Sequence, residues 1–471
     1  MRYLDAGRRA PTTVLAPLAH ARRGWHPLPL SAGIGVTAFV SAWGGYALST
    51  TLPVAVGDLG SDRYLGWTFA VYLSGEVLGI CVAAALNRVM RPALVQGLAS
   101  AALVAGLVIA AIAQDATVLV FGRWIQGVGA GVVLVVVFTL IARCYAPEAR
   151  PRLIALTSAA LIVPGMIGPT VAGAMTSYWG WRSVFLVLVA FTALSAILVI
   201  APIRRLGRGE PWGRSALLGP AVLVFAALTG IEASGLFHSA WGVALLVLSL
   251  IAVVPALAQL MPTGALTLQP GVPALVGLRF MLSGAYFGGQ IWIPSMLIQV
   301  HRLPPERAGL VTLGAPLGWA VGSMWQSRGF STISQDGRRR RVAAGSLTTA
   351  AGMLVLLAAT VVDLPLLLLG TLWAAAAAGM GVANSTVTTA TLHDATEREA
   401  GFLSMAIQLA DSVGSALAIG LGTVVREIDL FAGQARASLV VIFAGAAALC
   451  VVCAVASRRM SPRSRTVIVP C

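Results

Sequence analysis

Charged side chains are scarce in this sequence and make up only 10% of its 471 residues. A soluble domain usually carries about a quarter of its residues as charged side chains. Hydrophobic residues make up 58% of the chain, so its polar residues are too few to cover a core of that size in water. The composition therefore indicates an integral membrane protein.

Lysine is absent, and all 32 basic residues are arginine. With 17 acidic residues, the formal net charge is +15. A strongly basic chain can indicate a nucleic-acid partner, but these arginines lie in short clusters between apolar segments. Such clusters are typical of loops that face an anionic membrane leaflet. We therefore expect the lipid bilayer as a partner and no nucleic acid.

Cysteine and histidine occur five times each, and neither is spaced like a disulfide framework or a metal site. The chain has no P-loop motif for the phosphates of ATP. The stretches between apolar segments are too short for a soluble catalytic domain, and the first thirty residues lack the apolar core of a cleavable signal. The sequence therefore predicts no metal, no cofactor, no enzyme activity and no direct use of ATP.

Apolar segments recur along most of the chain, and each is near or above the roughly 18–20 residues that a helix needs to cross a bilayer. The first seven are 31–55, 66–86, 93–113, 117–142, 153–175, 183–203 and 215–235. The second seven are 239–260, 273–298, 307–327, 342–361, 364–386, 400–424 and 437–457. The predicted fold class is an all-α membrane protein with fourteen transmembrane helices.

The arginine positions predict how these segments are oriented. The two tails and the loops after even-numbered segments contain 24 arginines, whereas the loops after odd-numbered segments contain six. Because arginine is enriched on the cytoplasmic side of a membrane, this bias predicts that both termini are cytoplasmic. The loop after the eighth segment contains no arginine, so the rule does not test the seventh and eighth segments.

Four short motifs occur in order along the first half of the chain. The second segment contains Trp67 and Tyr72 in a W-x-x-x-x-Y spacing, and the fourth contains R-x-x-Q-G-x-G-A at residues 123–130. The sixth segment opens with W-R-x-x-F at residues 181–185. The small residues and proline of the fifth segment are Gly165, Gly168, Pro169 and Gly173.

This ordered set resembles the motifs of major facilitator superfamily exporters, and with fourteen segments the chain looks like the fourteen-helix drug:proton antiporter family. The resemblance implies a six-helix bundle over 31–203, a linker with two inserted helices over 204–271 and a second bundle over 272–457. The tails 1–30 and 458–471 would be cytoplasmic. Alternating access would rock one bundle against the other, and the fifth-segment glycines would act as a gating motif. The alternative for those glycines is ordinary close helix packing.

The chain departs from the family pattern at three places. Gly44 stands in the first segment where the family usually has an aspartate. The loop motif after the second segment contains Asn87, Arg88 and Arg91, with an asparagine where an aspartate is usual. Asp411 lies in the thirteenth segment where glycine is common. A proton-binding site would therefore have moved within this chain.

Ionisable residues at mid-membrane depth are costly and mark functional sites. Glu76 and Asp411 lie near the middle of the second and thirteenth segments, and Arg123 lies well inside the fourth with Gln126 on the same side. The resemblance implies that the second and thirteenth helices face each other, so the two carboxyl groups could share a proton. The alternative is that each is simply protonated, or hydrogen-bonded within its own bundle. We predict proton-coupling roles for Glu76, Asp411 and Arg123.

Two other ionisable residues have simpler interpretations. Arg279 lies about two turns from the cytoplasmic end of the ninth segment, where a long side chain can reach the interface. Glu232 lies close to the outer end of the seventh segment, which predicts an interfacial position.

Aromatic side chains in spanning helices can line a cavity for lipophilic or cationic compounds. The candidates for a substrate cavity are Trp43, Tyr46, Tyr72, Gln126, Tyr286 and Trp292. The alternative for each ring is packing against protein or lipid.

The sequence as a whole favours a monomeric secondary active transporter of the cell membrane. We predict proton-coupled export of small, lipophilic or drug-like compounds, with a small-molecule substrate and the proton as partners. Export of an endogenous metabolite or lipid by the same fold is an alternative. A membrane-embedded enzyme would need a catalytic cluster, and a sensor without transport is the third alternative.

Overall fold

A computed structural model describes residues 27–60, 62–145, 150–207, 218–235, 237, 240–327, 333–393, 397–427 and 435–460. Across these ranges the chain forms seventeen α-helices and no β-strand. The first nine are α1 (Pro27–Tyr46), α2 (Leu48–Asp58), α3 (Leu65–Val89), α4 (Pro92–Ala111), α5 (Ala116–Cys144), α6 (Arg150–Trp179), α7 (Arg182–Ile203), α8 (Leu218–Ser234) and α9 (Ala240–Leu260). The other eight are α10 (Val272–Gln290), α11 (Trp292–Ser295), α12 (Pro305–Thr312), α13 (Gly314–Ser327), α14 (Gln335–Ala359), α15 (Leu366–His393), α16 (Glu397–Glu427) and α17 (Ala435–Ala456).

Each of the fourteen predicted apolar segments coincides with one helix or with a few consecutive helices. The first segment is divided into α1 and α2 at Ala47. The ninth is divided into α10, α11 and a π-helical turn at Met296–Val300, and the tenth into α12 and α13. Pro294 and Pro316 contribute to the later divisions, because a proline cannot donate to the carbonyl group one turn before it.

Nine helices of the described residues are long and apolar enough to cross a membrane by length and composition. They are α3, α4, α5, α7, α9, α14, α15, α16 and α17. Shorter apolar stretches lie at Leu28–Ser41 and Leu218–Ser234. The predicted count of fourteen spanning helices therefore stays a prediction.

Helices of the first six segments pack on one another through very close backbone contacts. The helix α5 contacts α3 and α4, while α1 contacts α6 and α7. A methyl group at Gly127 of α5 would collide with the carbonyl group of Tyr72 on α3. Apolar side chains gain little by leaving lipid for a protein interior, so close approach of this kind is a main source of helix association in membranes.

Helices after residue 272 pack in the same way. Close neighbours are α10 with α16 and α17, α14 with α15 and α17, and α13 with α15. A methyl group at Gly414 of α16 would collide with the carbonyl group of Phe280 on α10.

Contacts between these two groups of helices are concentrated in two places. The helix α3 packs against α16, and α6 packs against α12 and α13. The helices α8 and α9 form a pair, and α8 contacts both α3 and α16. The predicted carboxylates of α3 and α16 therefore lie on helices that touch.

Candidate functional site

Arg123 of α5 is almost completely buried, with 1% of its surface exposed. Its Nε donates to the backbone carbonyl of Thr68 at 3.1 Å, and an Nη atom donates to Oε1 of Gln126. The guanidinium group lies over the Tyr72 ring, 4.4 Å from the ring centroid. Three residues predicted from the sequence thus form one cluster between α3 and α5.

Helix geometry explains this arrangement. Arg123 and Gln126 are three residues apart on α5, and Thr68 and Tyr72 are four apart on α3, so each pair shares a helix face. The contact of Gly127 with the Tyr72 backbone brings the two helices close. The described contacts of the buried cation are with neutral groups, which stabilise it by hydrogen bonding and by the ring's quadrupole.

Glu76 lies one helical turn after Tyr72 on α3 and is half-buried. Its Oε2 accepts a hydrogen bond of 3.0 Å from Oγ of Ser412 on α16. This bond joins two helices that are distant in sequence and that the sequence predicts to belong to different bundles.

Asp411, the residue before Ser412, binds Arg279 of α10 in a two-pronged ion pair. Ser283, one turn after Arg279, also donates to the carboxylate. A further guanidinium nitrogen of Arg279 donates to Oγ1 of Thr388 at 2.6 Å. The Arg279 and Asp411 side chains are 13% and 16% exposed, so this ion pair is within reach of water.

This ion pair corrects the interpretation of Arg279, which was expected to extend to the interface. A carboxylate within reach satisfies the cation where it lies, with two charge-assisted hydrogen bonds. Distance from the helix end along the sequence could not reveal that partner, because Asp411 is 132 residues away.

Glu76 and Asp411 are brought to neighbouring positions, but in the described part of the chain no hydrogen bond joins their carboxyl groups. Glu76 is bonded to Ser412, and Asp411 to Arg279 and Ser283. Their sharing of a proton stays a prediction, and this conformation presents them as two adjacent sites.

Glu232, which its position near a helix end predicts to be interfacial, is enclosed by protein, with only 1% of its surface exposed. It lies between α8 and α3, where Oε1 accepts a hydrogen bond of 3.3 Å from Oγ of Ser74. The position of Glu232 along α8 predicts its depth, which stays a prediction, but it does not predict which helices pack against the side chain.

The predicted cavity aromatics are buried in protein contacts. Trp43 packs on Phe39, with ring centroids 5.6 Å apart. Tyr286 stacks on Trp373 at 5.3 Å, and the Arg426 guanidinium lies 5.1 Å from the centroid of Trp292. The Tyr46 side chain lies outside the described residues.

One small cavity lies among α1, α4, α5 and α7. Its polar lining consists of Thr37, Ser41, Gln96, Ser100, Thr192 and Ser195.

The glycine and proline motif of α6 lies against the break between α1 and α2. All four members, Gly165, Gly168, Pro169 and Gly173, are buried. The Pro169 carbonyl accepts a 3.0 Å hydrogen bond from Oγ1 of Thr50 on α2. A methyl group at Gly309 of α12 would lie 2.9 Å from the same carbonyl oxygen. The motif therefore contacts the junction of α1 and α2 on one side and α12 on the other.

The loop motif lies at the end of α3. Asn87 is half-buried, and its Nδ2 has no hydrogen-bond partner among the described residues. Arg91 is exposed just before α4, and the side chain of Arg88 lies outside the described residues.

Sequence reasoning missed the hydroxyl groups that bind the carboxylates, namely Ser74, Ser283 and Ser412. A signal existed for two of them: Ser283 follows Arg279 by four residues, and Ser412 is next to Asp411. Small hydroxyl side chains are common in membrane helices, so their positions alone did not separate these two from the rest.

Comparison with solved structures defines the class of the fold. The chain matches a crystal structure of the peptide transporter POT in complex with sulfate at a TM-score of 0.65 and 13% identity, covering 91% of this chain and 96% of that one. It matches the human organic anion transporter MFSD10 at a TM-score of 0.60 and 13% identity, covering 91% and 99%. This is an all-helical, multi-pass membrane protein with a fold found among solved transporters.

Comparison with protein families identifies the chain further. The model of the Major Facilitator Superfamily matches residues 34–419. The chain therefore belongs to the Major Facilitator Superfamily, as its motifs had indicated.

Individual relatives are similar at low identity. An uncharacterised transporter of this superfamily from Mycobacterium tuberculosis is 29% identical over 343 residues, which are 68% of this chain and 48% of the relative. A probable multidrug-efflux transporter of the same organism is 30% identical over 60% of this chain and 64% of its own length. Multidrug resistance protein 3 of Bacillus subtilis is 23% identical over 62% and 59%. The chain thus spans about half to two thirds of the length of these relatives.

Proposed function

We propose that this protein is a secondary active transporter that exports small, lipophilic compounds across the cell membrane in exchange for protons. The observation that carries the proposal is the hydrogen bond between Glu76 and Ser412, next to the ion pair of Asp411 with Arg279. Two carboxyl groups thus lie together where α3 meets α16. The multidrug-efflux relatives support the substrate class.

Alternating access requires two bodies that move against each other. In the proposed mechanism these are the helices within 31–203 and those within 272–457, each held together by backbone contacts at glycine. The seams between them are α3 with α16 and α6 with α12 and α13. A monomer contains both bodies, so the proposal needs no second copy.

At the end of the α3–α16 seam that the arginine pattern predicts to face outside, the helices are packed tightly. A methyl group at Gly66 of α3 would collide with Thr423 of α16 and would touch the Trp292 ring at about 3.0 Å. An outward-open state would have to break this contact, so the described conformation is one that is closed on that side.

A proton would act at the seam by competing with the existing partners of the carboxylates. Protonation of Asp411 removes the negative charge that holds Arg279, and the ion pair weakens to hydrogen bonds from the cation to a neutral acid. The guanidinium group would then keep its bond to Thr388 and be free to turn toward a substrate. Protonation of Glu76 leaves one oxygen able to accept from Ser412 and makes the other a donor. The seam therefore has two sites at which a proton changes helix contacts.

The test is efflux driven by an imposed pH gradient in proteoliposomes, with substrate binding measured separately. Glu76→Gln and Asp411→Asn imitate the protonated groups, and we expect each to abolish proton-driven efflux while binding remains. Asp58→Asn serves as the matched control, because Asp58 is exposed at the end of α2. The double variant should be no worse than either single one, since residues that act as a unit are not additive.

Continued accumulation or expulsion of substrate against its gradient by both amide variants would exclude these carboxyl groups as the coupling site. Binding without efflux in the unmodified protein would instead favour a sensor. A panel that includes metabolites and lipids separates drug export from export of an endogenous compound.

A further inference from the structure

The inserted helix α8 carries a carboxyl group that the proposed transport mechanism does not use. Glu232 is two residues from the end of α8, yet its side chain is enclosed by protein. The Ser74 hydroxyl of α3 lies 3.3 Å from Oε1 and 2.9 Å from the Ala70 carbonyl, so its single proton is shared between these two acceptors. The carboxyl group is thus attached to the same helix that carries Glu76.

The other side of Glu232 faces α16. A methyl group placed at Gly420 of α16 would lie 3.4 Å from Cγ of Glu232. Glycine at this position therefore leaves the room that the glutamate side chain occupies. Glu232 therefore lies where α8 packs against both α3 and α16. These two helices form the seam between the proposed moving bodies.

The polar surroundings of Glu232 are sparse. In the described part of the chain, its Oε2 has no hydrogen-bond partner. The Trp67 indole lies near enough to interact with the carboxyl group, but its Nε1 forms no hydrogen bond of good geometry there.

Among the residues that the structure describes, no cation forms an ion pair or hydrogen bond with Glu232. The helix α9, which packs on α8, carries no titratable residue. The titratable residues on the membrane-embedded lengths of α3 and α16 are Tyr72, Glu76, Cys81, Asp411, Arg426 and Glu427. The described contacts of the Arg426 guanidinium include Ser295 and Gln299, and none of them is with Glu232. An ionised carboxylate here would be buried without compensation, which is very unfavourable.

We propose that Glu232 is a further proton-binding site, which holds a proton while α8 is wedged between α3 and α16 and exchanges it with external water when those helices separate. The proposal rests on the proposed function and adds the inserted helix pair to the transport cycle. Separation of α3 from α16 would pull Ser74 and Gly420 apart and would admit water to the carboxyl group. Ionisation would then hinder re-closure until a proton returns.

The first measurement reads protonation directly and does not depend on transport. Infrared spectra of the reconstituted protein distinguish the carbonyl stretch of a protonated carboxyl group from the bands of a carboxylate. We expect a protonated-carboxyl band near neutral pH that is lost in Glu232→Gln and shifted in frequency in Ser74→Ala, which removes its hydrogen-bond donor. Equal spectra of the unmodified protein and Glu232→Gln in that region from about pH 5 to pH 9 would overturn the proposal.

The second measurement separates a proton-binding role from a packing role. Glutamine keeps the size of glutamate and supplies a donor, so Glu232→Gln should fold and bind substrate normally. We expect the slope of log efflux rate against pH to fall by up to about one, the contribution of one proton. Ser234→Ala is the control and should keep the original slope, because Ser234 is buried two residues after Glu232 but donates to the Ile231 carbonyl. An unchanged slope in Glu232→Gln would reduce the residue to packing.

The two measurements distinguish the failure of this proposal from failure of the proposed function. The infrared band of Glu232 could be present although neither the unmodified protein nor any variant shows proton-coupled transport. In that case the proposed function is wrong, and Glu232 is a buried neutral acid. If coupled efflux occurs but Glu232→Gln behaves like the unmodified protein in both assays, the additional site is wrong and the seam carboxylates alone carry the proton.

Discussion

Replacement of Arg123 by alanine is the sharpest test of the cluster between α3 and α5. The change leaves Oε1 of Gln126 buried without its donor, which costs about 1–3 kcal/mol. The Thr68 carbonyl loses one of its two bonds but keeps its helical one, so its cost lies at the lower end of that range. Loss of the cation over the Tyr72 ring adds about 1–2 kcal/mol.

Arg123→Ala also removes the desolvation cost of the buried guanidinium charge, and this partly offsets the losses. We therefore expect a net loss of about 2–4 kcal/mol for Arg123→Ala, measured by thermal unfolding of the purified protein. Coupled transport should be abolished while insertion into the membrane is retained. Arg123→Lys keeps the charge but loses the planar fork, so partial activity is expected.

Arg182 supplies a matched control. It also donates to a backbone carbonyl, that of Ala113 at 2.8 Å, and lies over a ring, 4.2 Å from the Trp181 centroid. The side chain is exposed, however, so water replaces both contacts in Arg182→Ala and the cost should stay below about 1 kcal/mol. Equal stability and full activity of Arg123→Ala and Arg182→Ala would refute a functional role for the buried cluster and reduce the motif to packing.

Two other predictions concern topology and helix packing. A reporter inserted at Arg338–Arg341 should be cytoplasmic and one at Asp429–Gln434 external, and a report from the same side would show that the count of fourteen is wrong. Gly127→Ala should destabilise the protein by about 1–3 kcal/mol, because its methyl group meets backbone that cannot move aside. Gly445→Ala is its control, since no atom lies within 4 Å of the added methyl group, and similar melting temperatures for the two variants would contradict the packing described for α3 and α5.

The helical fold and the superfamily could be predicted because both depend on patterns within single segments. Low charge, segment length and the motif around Arg123 are local properties of the sequence. Gln126 could likewise be placed beside Arg123, because a spacing of three residues on a helix fixes a shared face.

The partners of the other ionisable residues could not be predicted from such patterns. Arg279 and Asp411 meet because α10 packs on α16, and nothing in either segment specifies that contact. The position of Glu232 near the end of α8 predicts a place near the membrane surface. It does not predict that the side chain is buried, because burial depends on how α8 packs on α3. The sequence also could not predict which aromatic rings face a cavity. A ring that lines a cavity and a ring that packs on Trp373, as Tyr286 does, have the same local sequence pattern.

The bond between Glu76 and Ser412 has a consequence for biosynthesis. The two residues are 336 positions apart, and a ribosome that adds about 5–20 residues per second needs about 20–70 s to make that length. During this interval α3 is already in the bilayer, but α16 does not yet exist to cover its polar side. Glu76 must therefore be sheltered by earlier helices, by lipid headgroups or by a membrane chaperone. Nascent chains arrested before residue 397 should accordingly be more sensitive to quality-control proteases than chains that include α16.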